Sequence, residues 1–330
     1  MLRHLKIPAV LASCLLLFAS IAQAKGPKYT DPAKADADFA FQGEYRGEID
    51  IEGIKIKIGV QVIALGEGKF SSVSYVGGLP GDGWDGKEKR AMSGELKDGV
   101  VVFDDDHAHG EIKGGKMHVT SKQGNASGIL DKVMRKSPTA GKKAPDGATI
   151  LFDGSSADNF QGGKIEDGLL QAGCTTKQKF GSHKLHIEFR IPYQPQDRGQ
   201  GRGNSGIYLQ GRYECQMLDS FGLEGKNNEC GGLYSVKDPD LNMCYPPLSW
   251  QTYDVDYTAG KYDDAGKVVT NPRVTIRHNG VLIHDDVELP GERSTTAAPS
   301  KPGNLPGPIY LQRHGSPVVY RNIWLVPKDG

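Results

Sequence analysis

From residue 41 onward, apolar and polar side chains alternate in short runs. Ile49, Ile51, Ile54, Ile56 and Ile58 are separated by Asp, Glu, Gly and Lys. A two-residue period puts one face of a strand inside and the other in water. Further runs over 60–65, 70–76, 100–103 and 117–120 are set apart by glycines at hairpin intervals. Residues 41–134 are therefore predicted to form a small β-sandwich or barrel.

From residue 150 onward longer and more regular runs follow, over 184–191, 206–210, 213–218, 250–257, 273–278, 309–313 and 318–326. So many strands in under two hundred residues predict a two-sheet sandwich or jelly roll spanning 149–330. The fold class is all-β. Between the two halves, Arg135-Lys136-Ser137-Pro138 and Gly141-Lys142-Lys143-Ala144-Pro145 have the composition of a linker, placed at 135–148. Residues 25–40 are polar, without a sustained apolar stripe, and read as a tether or short helix.

The first 24 residues differ. Arg3, His4 and Lys6 precede an apolar run over 7–21 and then Ala22-Gln23-Ala24, the layout of a secretory signal cleaved after Ala24. The run is shorter than the roughly 20 apolar residues a bilayer span needs, so no membrane insertion is expected after cleavage. The mature chain is expected in the periplasm or outside the cell. Lys plus Arg and Asp plus Glu both total 40, so no net positive field recommends nucleic acid as a partner.

With Cys14 lost in the signal, Cys174, Cys215, Cys230 and Cys244 remain, an even set in a chain bound for an oxidising compartment. Three pairings exist. Cys230 with Cys244 is favoured, since both sit in Gly/Pro/Asn-rich loop sequence and would close a loop across a mobile segment. The spacings match no zinc site.

Alternate side chains of a strand share a face, which groups Tyr208 with Gln210, Glu214 with Gln216, and His186 with Glu188 and Arg190. A hairpin at Gly211-Arg212 would set the first two pairs side by side. A small irregularity after Leu218 would return Asp219 to the Glu214 face. Tyr310, Gln312 and His314 share a further face. Any one of these groups could be simply solvated, but carboxylate, amide, imidazole and aromatic groups recurring on several strands describe the lining of a binding concavity. Asp104-Asp105-Asp106-His107-Ala108-His109 reads as a solvated loop before a metal site. Gly201-Arg202-Gly203-Asn204-Ser205-Gly206 lacks the helix that phosphate loops use and reads as a flexible loop. His278 and His284 flank the hairpin signal Asn279-Gly280.

The stretch Asn204-Ser205-Gly206-Ile207-Tyr208-Leu209-Gln210-Gly211-Arg212-Tyr213-Glu214 to Asp219-Ser220-Phe221-Gly222 resembles the 3-keto-disaccharide hydrolase family. So do Trp250-Gln251-Thr252-Tyr253-Asp254, Leu311-Gln312-Arg313-His314-Gly315 and Tyr320-Arg321-Asn322-Ile323-Trp324. The opening Ile150-Leu151-Phe152-Asp153-Gly154 fits its first strand, and the resemblance covers about 149–327. Residues 225–247, with Cys230 and Cys244, look like a longer loop of environmental bacterial members, in which a small β-domain often precedes the hydrolase-like one.

The resemblance implies a concanavalin-like jelly roll that cleaves glycosides oxidised to a ketone at carbon 3. Such a ketone acidifies the proton on carbon 2. A base can then remove it, the substituent on carbon 1 leaves, and water addition completes net hydrolysis. His314 and Glu214 are the base and acid candidates, in either order. Asp219, Gln216 and Gln312 would orient hydroxyls or ligate a divalent metal, which no spacing demands. Arg190 or Arg212 would stabilise the enolate. Gln216 between Glu214 and Asp219 disfavours the paired carboxylates of ordinary glycosidases. The competing reading is a non-catalytic, lectin-like module in which Trp250 and Tyr208 stack on sugar rings. The partner is carbohydrate in both.

Overall fold

The computed structural model describes residues 26–328, so the expected signal sequence and its cleavage point lie outside the described residues. Eight antiparallel strands form a closed barrel in chain order: β1 (Gly43–Ile51), β2 (Ile54–Gly66), β3 (Lys69–Val76), β4 (Lys89–Lys97), β5 (Val100–Asp104), β6 (Ala108–Lys113), β7 (Lys116–Ser121) and β8 (Ala126–Val133), with β8 returning to β1. Closure removes both sheet edges, and this decides between barrel and sandwich. Inward positions of the alternating runs fill the interior: Tyr45, Val60, Val62, Phe70, Val101, Phe103 and Leu130 are buried.

One end of the barrel is covered by the N-terminal segment. It forms two short 3-10 turns, Pro32–Lys34 and Ala37–Ala40, whose first backbone N–H groups are capped by Asp31 and Asp36. Tyr29 exchanges backbone hydrogen bonds with Tyr193, and the Tyr193 hydroxyl donates to Asp36 at 3.0 Å. The segment is packed in place, where its composition suggested a tether.

The second half is a two-sheet sandwich. The smaller sheet runs Phe160–Gln161, Cys174–Thr176, Tyr310–Leu311, Ser205–Leu209, Tyr213–Met217 in space. The larger is built on Val319–Pro327, His183–Arg190, Trp250–Thr258, Arg273–His278 and Val281–Glu288, with the strand Thr149–Phe152 paired to Val319–Pro327. Ile207, Leu209, Cys215 and Met217 of one sheet meet Ile187, Phe189, Tyr253 and Val255 of the other in one buried core. Ile63, Val73 and Tyr75 of the barrel belong to that same core, so the two halves are joined by apolar packing. Beside it, Arg135 pairs with Glu44 of the barrel and lies over the Tyr245 ring of the second half, its guanidinium carbon 4.9 Å from the ring centroid.

The connector is not loose. Ser137 Oγ lies 2.6 Å and Thr139 Oγ1 2.8 Å from Thr252 Oγ1, the Gly141 N–H donates to Glu188, and the Lys142 carbonyl accepts from Asn322 and the Trp324 indole. It is strapped across the outer face of the larger sheet. Beneath it His186 Nδ1 bonds Asp254 at 2.9 Å and Glu188 pairs with Arg321 at 2.7 Å. Of the polar row read from His186, Glu188 and Arg190, Glu188 binds the connector directly and His186 supports it through Asp254, whereas Arg190 lies over Trp250.

Candidate functional site

On the smaller sheet the hairpin register places Tyr208 opposite Glu214 and Gly206 opposite Gln216, and Tyr310 opposite Tyr208 on the other side. Even-numbered positions face away from the core, so one outer face collects Asn204, Tyr208, Glu214, Gln216, Tyr310 and Gln312. Two sequence details hold the face open for these groups. Gly206 has no side chain, and a Cβ there would stand 2.1 Å from Glu214 Oε1. Gln210 takes a left-handed backbone (φ 52°) that turns it off the face, and its side chain bonds Arg212 and the Tyr257 hydroxyl. The expected pairing of Tyr208 with Gln210 on one face is thereby broken.

Glu214 is the centre of the arrangement. Its Oε2 accepts from the Tyr208 hydroxyl at 2.7 Å, the same hydroxyl accepts from Gln312 Nε2 at 3.0 Å, and Oε1 has no protein partner. Burial raises the carboxyl to about 7, against the opposing hydrogen bond from Tyr208. A carboxyl so placed is partly ionised at neutral pH and can take or give a proton. Asn204 Oδ1 and Gln312 Oε1 are likewise buried acceptors without a partner. Three unpartnered oxygens on one face suit a ligand rich in hydroxyl donors.

Gln216 and Gln312 lie on this face as expected. Gln216 Nε2 donates to Gln200 Oε1 at 3.1 Å. His314 stands in the exposed loop after Tyr310–Leu311 and makes no side-chain hydrogen bond or ion pair among the described residues.

Several expectations are corrected. Asp219 is spent on a buried ion pair with Arg202, Nε to Oδ2 2.6 Å, and is not free for catalysis or hydroxyl binding. Arg212 donates to the carbonyls of Lys301 (2.7 Å) and Leu305 (2.9 Å) and to Gln210, so its donors are used in holding that loop. Arg190 and Trp250 belong to the larger sheet, where the guanidinium carbons of Arg321 and Arg190 lie 4.0 and 5.1 Å from the Trp250 ring centroid. The sandwich thickness separates them from Glu214. The segment 202–206 is buried, not flexible.

The Cys230–Cys244 bridge is not formed. All four described cysteines are free and buried; Cys230 Sγ lies 3.3 Å from the Tyr253 hydroxyl and Cys244 Sγ 3.5 Å from the Leu218 carbonyl. Their segment is pinned at Gly231 and Gly232 by backbone bonds to Gln216, so there is no mobile loop to close.

Among the described residues no group of three or more His, Cys, Asp and Glu side chains is arranged to hold a metal ion. At the site itself the second carboxylate is already neutralised by Arg202, so the donor set does not fit the divalent metal considered above. In the barrel, both ring nitrogens of His109 are occupied, by Asp104 (2.7 Å) and Glu111 (3.1 Å), and Lys122 also pairs with Asp104: a solvated ion network. Sequence reasoning missed Gln200, whose role needs the fold of a loop, and Thr296, whose carbonyl oxygen lies 3.2 Å from the Tyr208 hydroxyl.

A crystal structure of a candidate glycosyl hydrolase from Parabacteroides distasonis is 33% identical, matching 56% of this chain and 85% of that one with a TM-score of 0.52. A second from the same organism, carrying the same description, is 20% identical over 60% of this chain and 99% of that one, TM-score 0.42. No curated protein matches. Residues 147–326, the sandwich that carries Glu214, match the profile of the 3-keto-alpha-glucoside-1,2-lyase-like domain, and the chain belongs to that family.

Proposed function

We propose that the sandwich cleaves 3-keto-glycosides by elimination followed by hydration. The observation that carries this reading is Glu214, a buried carboxyl near neutrality with one free oxygen on the face of a domain of this family. In the first step Glu214 accepts the proton from carbon 2. The electron pair of the C–H bond passes through the enolate into a new bond between carbons 1 and 2, the bond from carbon 1 to its substituent breaks, and the leaving oxygen takes a proton from His314. Water then adds to carbon 1, giving one of its protons back to His314, while Glu214 returns its proton to carbon 2. Gln312 Nε2 gives one N–H to the Tyr208 hydroxyl and keeps its second for the enolate oxygen, whereas Arg190 stands on the other sheet and Arg212 is bonded to Lys301, Leu305 and Gln210.

A lectin-like module would present a flat aromatic strip. Trp250 lies on the opposite outer face, which favours the enzyme.

The test is aglycone release from a 3-keto-glucoside and from its unoxidised parent. Release from the keto-sugar alone, lowered by about 10³-fold or more in Glu214→Gln and about 10² to 10⁴-fold in His314→Ala, is expected. Release from both sugars, or an undiminished Glu214→Gln enzyme, overturns the mechanism. We propose in addition that the protein is exported; N-terminal sequencing of the periplasmic or secreted form should begin at Lys25.

A further inference from the structure

The loop 195–204 runs from the barrel to the site. Arg202 is 5% exposed. Its Nε holds Asp219, both terminal nitrogens donate to the Ala64 carbonyl near the end of β2 at 3.3 Å, and Nη1 also meets the Pro195 carbonyl at 3.3 Å. Arg198, four residues earlier, donates to the next barrel carbonyl, Leu65, at 2.9 Å. Two arginines of one loop thus grip two successive carbonyls at one end of the barrel.

The same loop presents its other polar residues to the site. Gln200 Oε1 accepts from Gln216 Nε2 at 3.1 Å and from Asn204 Nδ2 at 2.9 Å. With Nδ2 held there, the Asn204 amide is fixed in orientation, and Oδ1 is the atom left buried without a partner. A guanidinium is a rigid planar fork that can serve a carboxylate and carbonyls on different edges at once, whereas a lysine offers one nitrogen on a flexible stem.

We propose that the barrel is a positioning element of the sugar site: through Arg202 it fixes the loop that sets Gln200 and Asn204 against Gln216, and Asn204 Oδ1 accepts a hydroxyl of the sugar bound beside Glu214. Arg202 is a positioning residue and does not touch the substrate. This rests on the sugar-cleaving reading of the face.

The test is Arg202→Lys in the full chain, which keeps the charge opposite Asp219 and removes the fork, with steady-state kinetics on the keto-glucoside and amide hydrogen exchange at Gly203 and Asn204. The strut requires a KM about tenfold higher with kcat within about twofold, together with faster exchange in the loop. Asn204→Ala should reproduce the KM rise without faster exchange at Gly203. A fall in kcat at constant KM, as from a partly unfolded sample, or unchanged exchange, overturns the proposal. If Arg202→Lys does not fold, Arg198→Gln at the exposed second grip must show the same changes in smaller degree. If the wild type cleaves no keto-sugar, the cleavage reading fails, and exchange alone decides whether the barrel fixes the loop.

Discussion

Glu214 owes its chemistry to what surrounds it. An exposed carboxyl at the same sequence position would be ionised at neutral pH; here burial lifts it to about 7. If its carboxylate is the base, kcat/KM should rise with pH through about 7, and a pH–rate profile reads this directly. The same shift has a stability consequence. The folded pKa lies above the ordinary 4.5, so between those values the native state binds more protons than the unfolded one. Glu214 therefore costs stability as pH rises from about 4.5 to 7, by up to about 3 kcal/mol, with no further change above. Denaturant titrations should show that slope in the wild type and lose it in Glu214→Gln. Gly206 is the companion residue. Its replacement by Ala would put a Cβ where Glu214 Oε1 now lies, so activity should fall by about tenfold or more while the fold persists, checked by kinetics beside circular dichroism.

At the scale of elements, the connector shows how composition misleads. Its lysines, glycines and prolines satisfy every compositional criterion of a loose linker, yet its backbone supplies bonds to Glu188, Asn322 and Trp324. Glu188 is buried, and although burial opposes ionisation, the His186 ring 3.7 Å away and hydrogen bonds from Asn322, Gly141 and Arg321 hold its carboxyl down to about 2. Its contribution is thus complete above about pH 4.5 and is lost as pH falls through about 2. Glu188→Ala, which strands Arg321 and frees the Gly141 amide, should cost about 3 kcal/mol. It should also expose Lys142 and Lys143 to trypsin, which gel analysis of limited digests would show. The strand alternation that predicted the polar row was right about its face; the occupant of that face came from elsewhere in the chain.

For the whole molecule, the apolar seam of Ile63, Val73 and Tyr75 joins barrel and sandwich in one buried core. Calorimetry should therefore record a single unfolding transition. Ile63→Asp, which buries a charge in the seam, should split or broaden it, whereas Ile63→Ala should keep one transition at a stability lower by about 2 to 4 kcal/mol. Two transitions in the wild type would show that the seam does not couple the halves.

The sequence by itself determined the all-β class and the face shared by Tyr208, Glu214 and Gln216, because side-chain alternation and hairpin register are local properties of the backbone; Gln312 joins that face only through the long-range pairing of Tyr310–Leu311 with Ser205–Leu209. Only tertiary structure decided which polar groups stay free. Asp219 and Arg212 look as reactive as Glu214 along the chain, but each meets a partner brought from a distance: Arg202 for the acid, the carbonyls of Lys301 and Leu305 for the guanidinium. Trp250 was placed on the wrong sheet for the same reason, since alternation fixes a face within a sheet and cannot say which sheet of a sandwich that face belongs to. Burial and long-range pairing set the charge and availability of a group, and neither is written in the spacing of its neighbours.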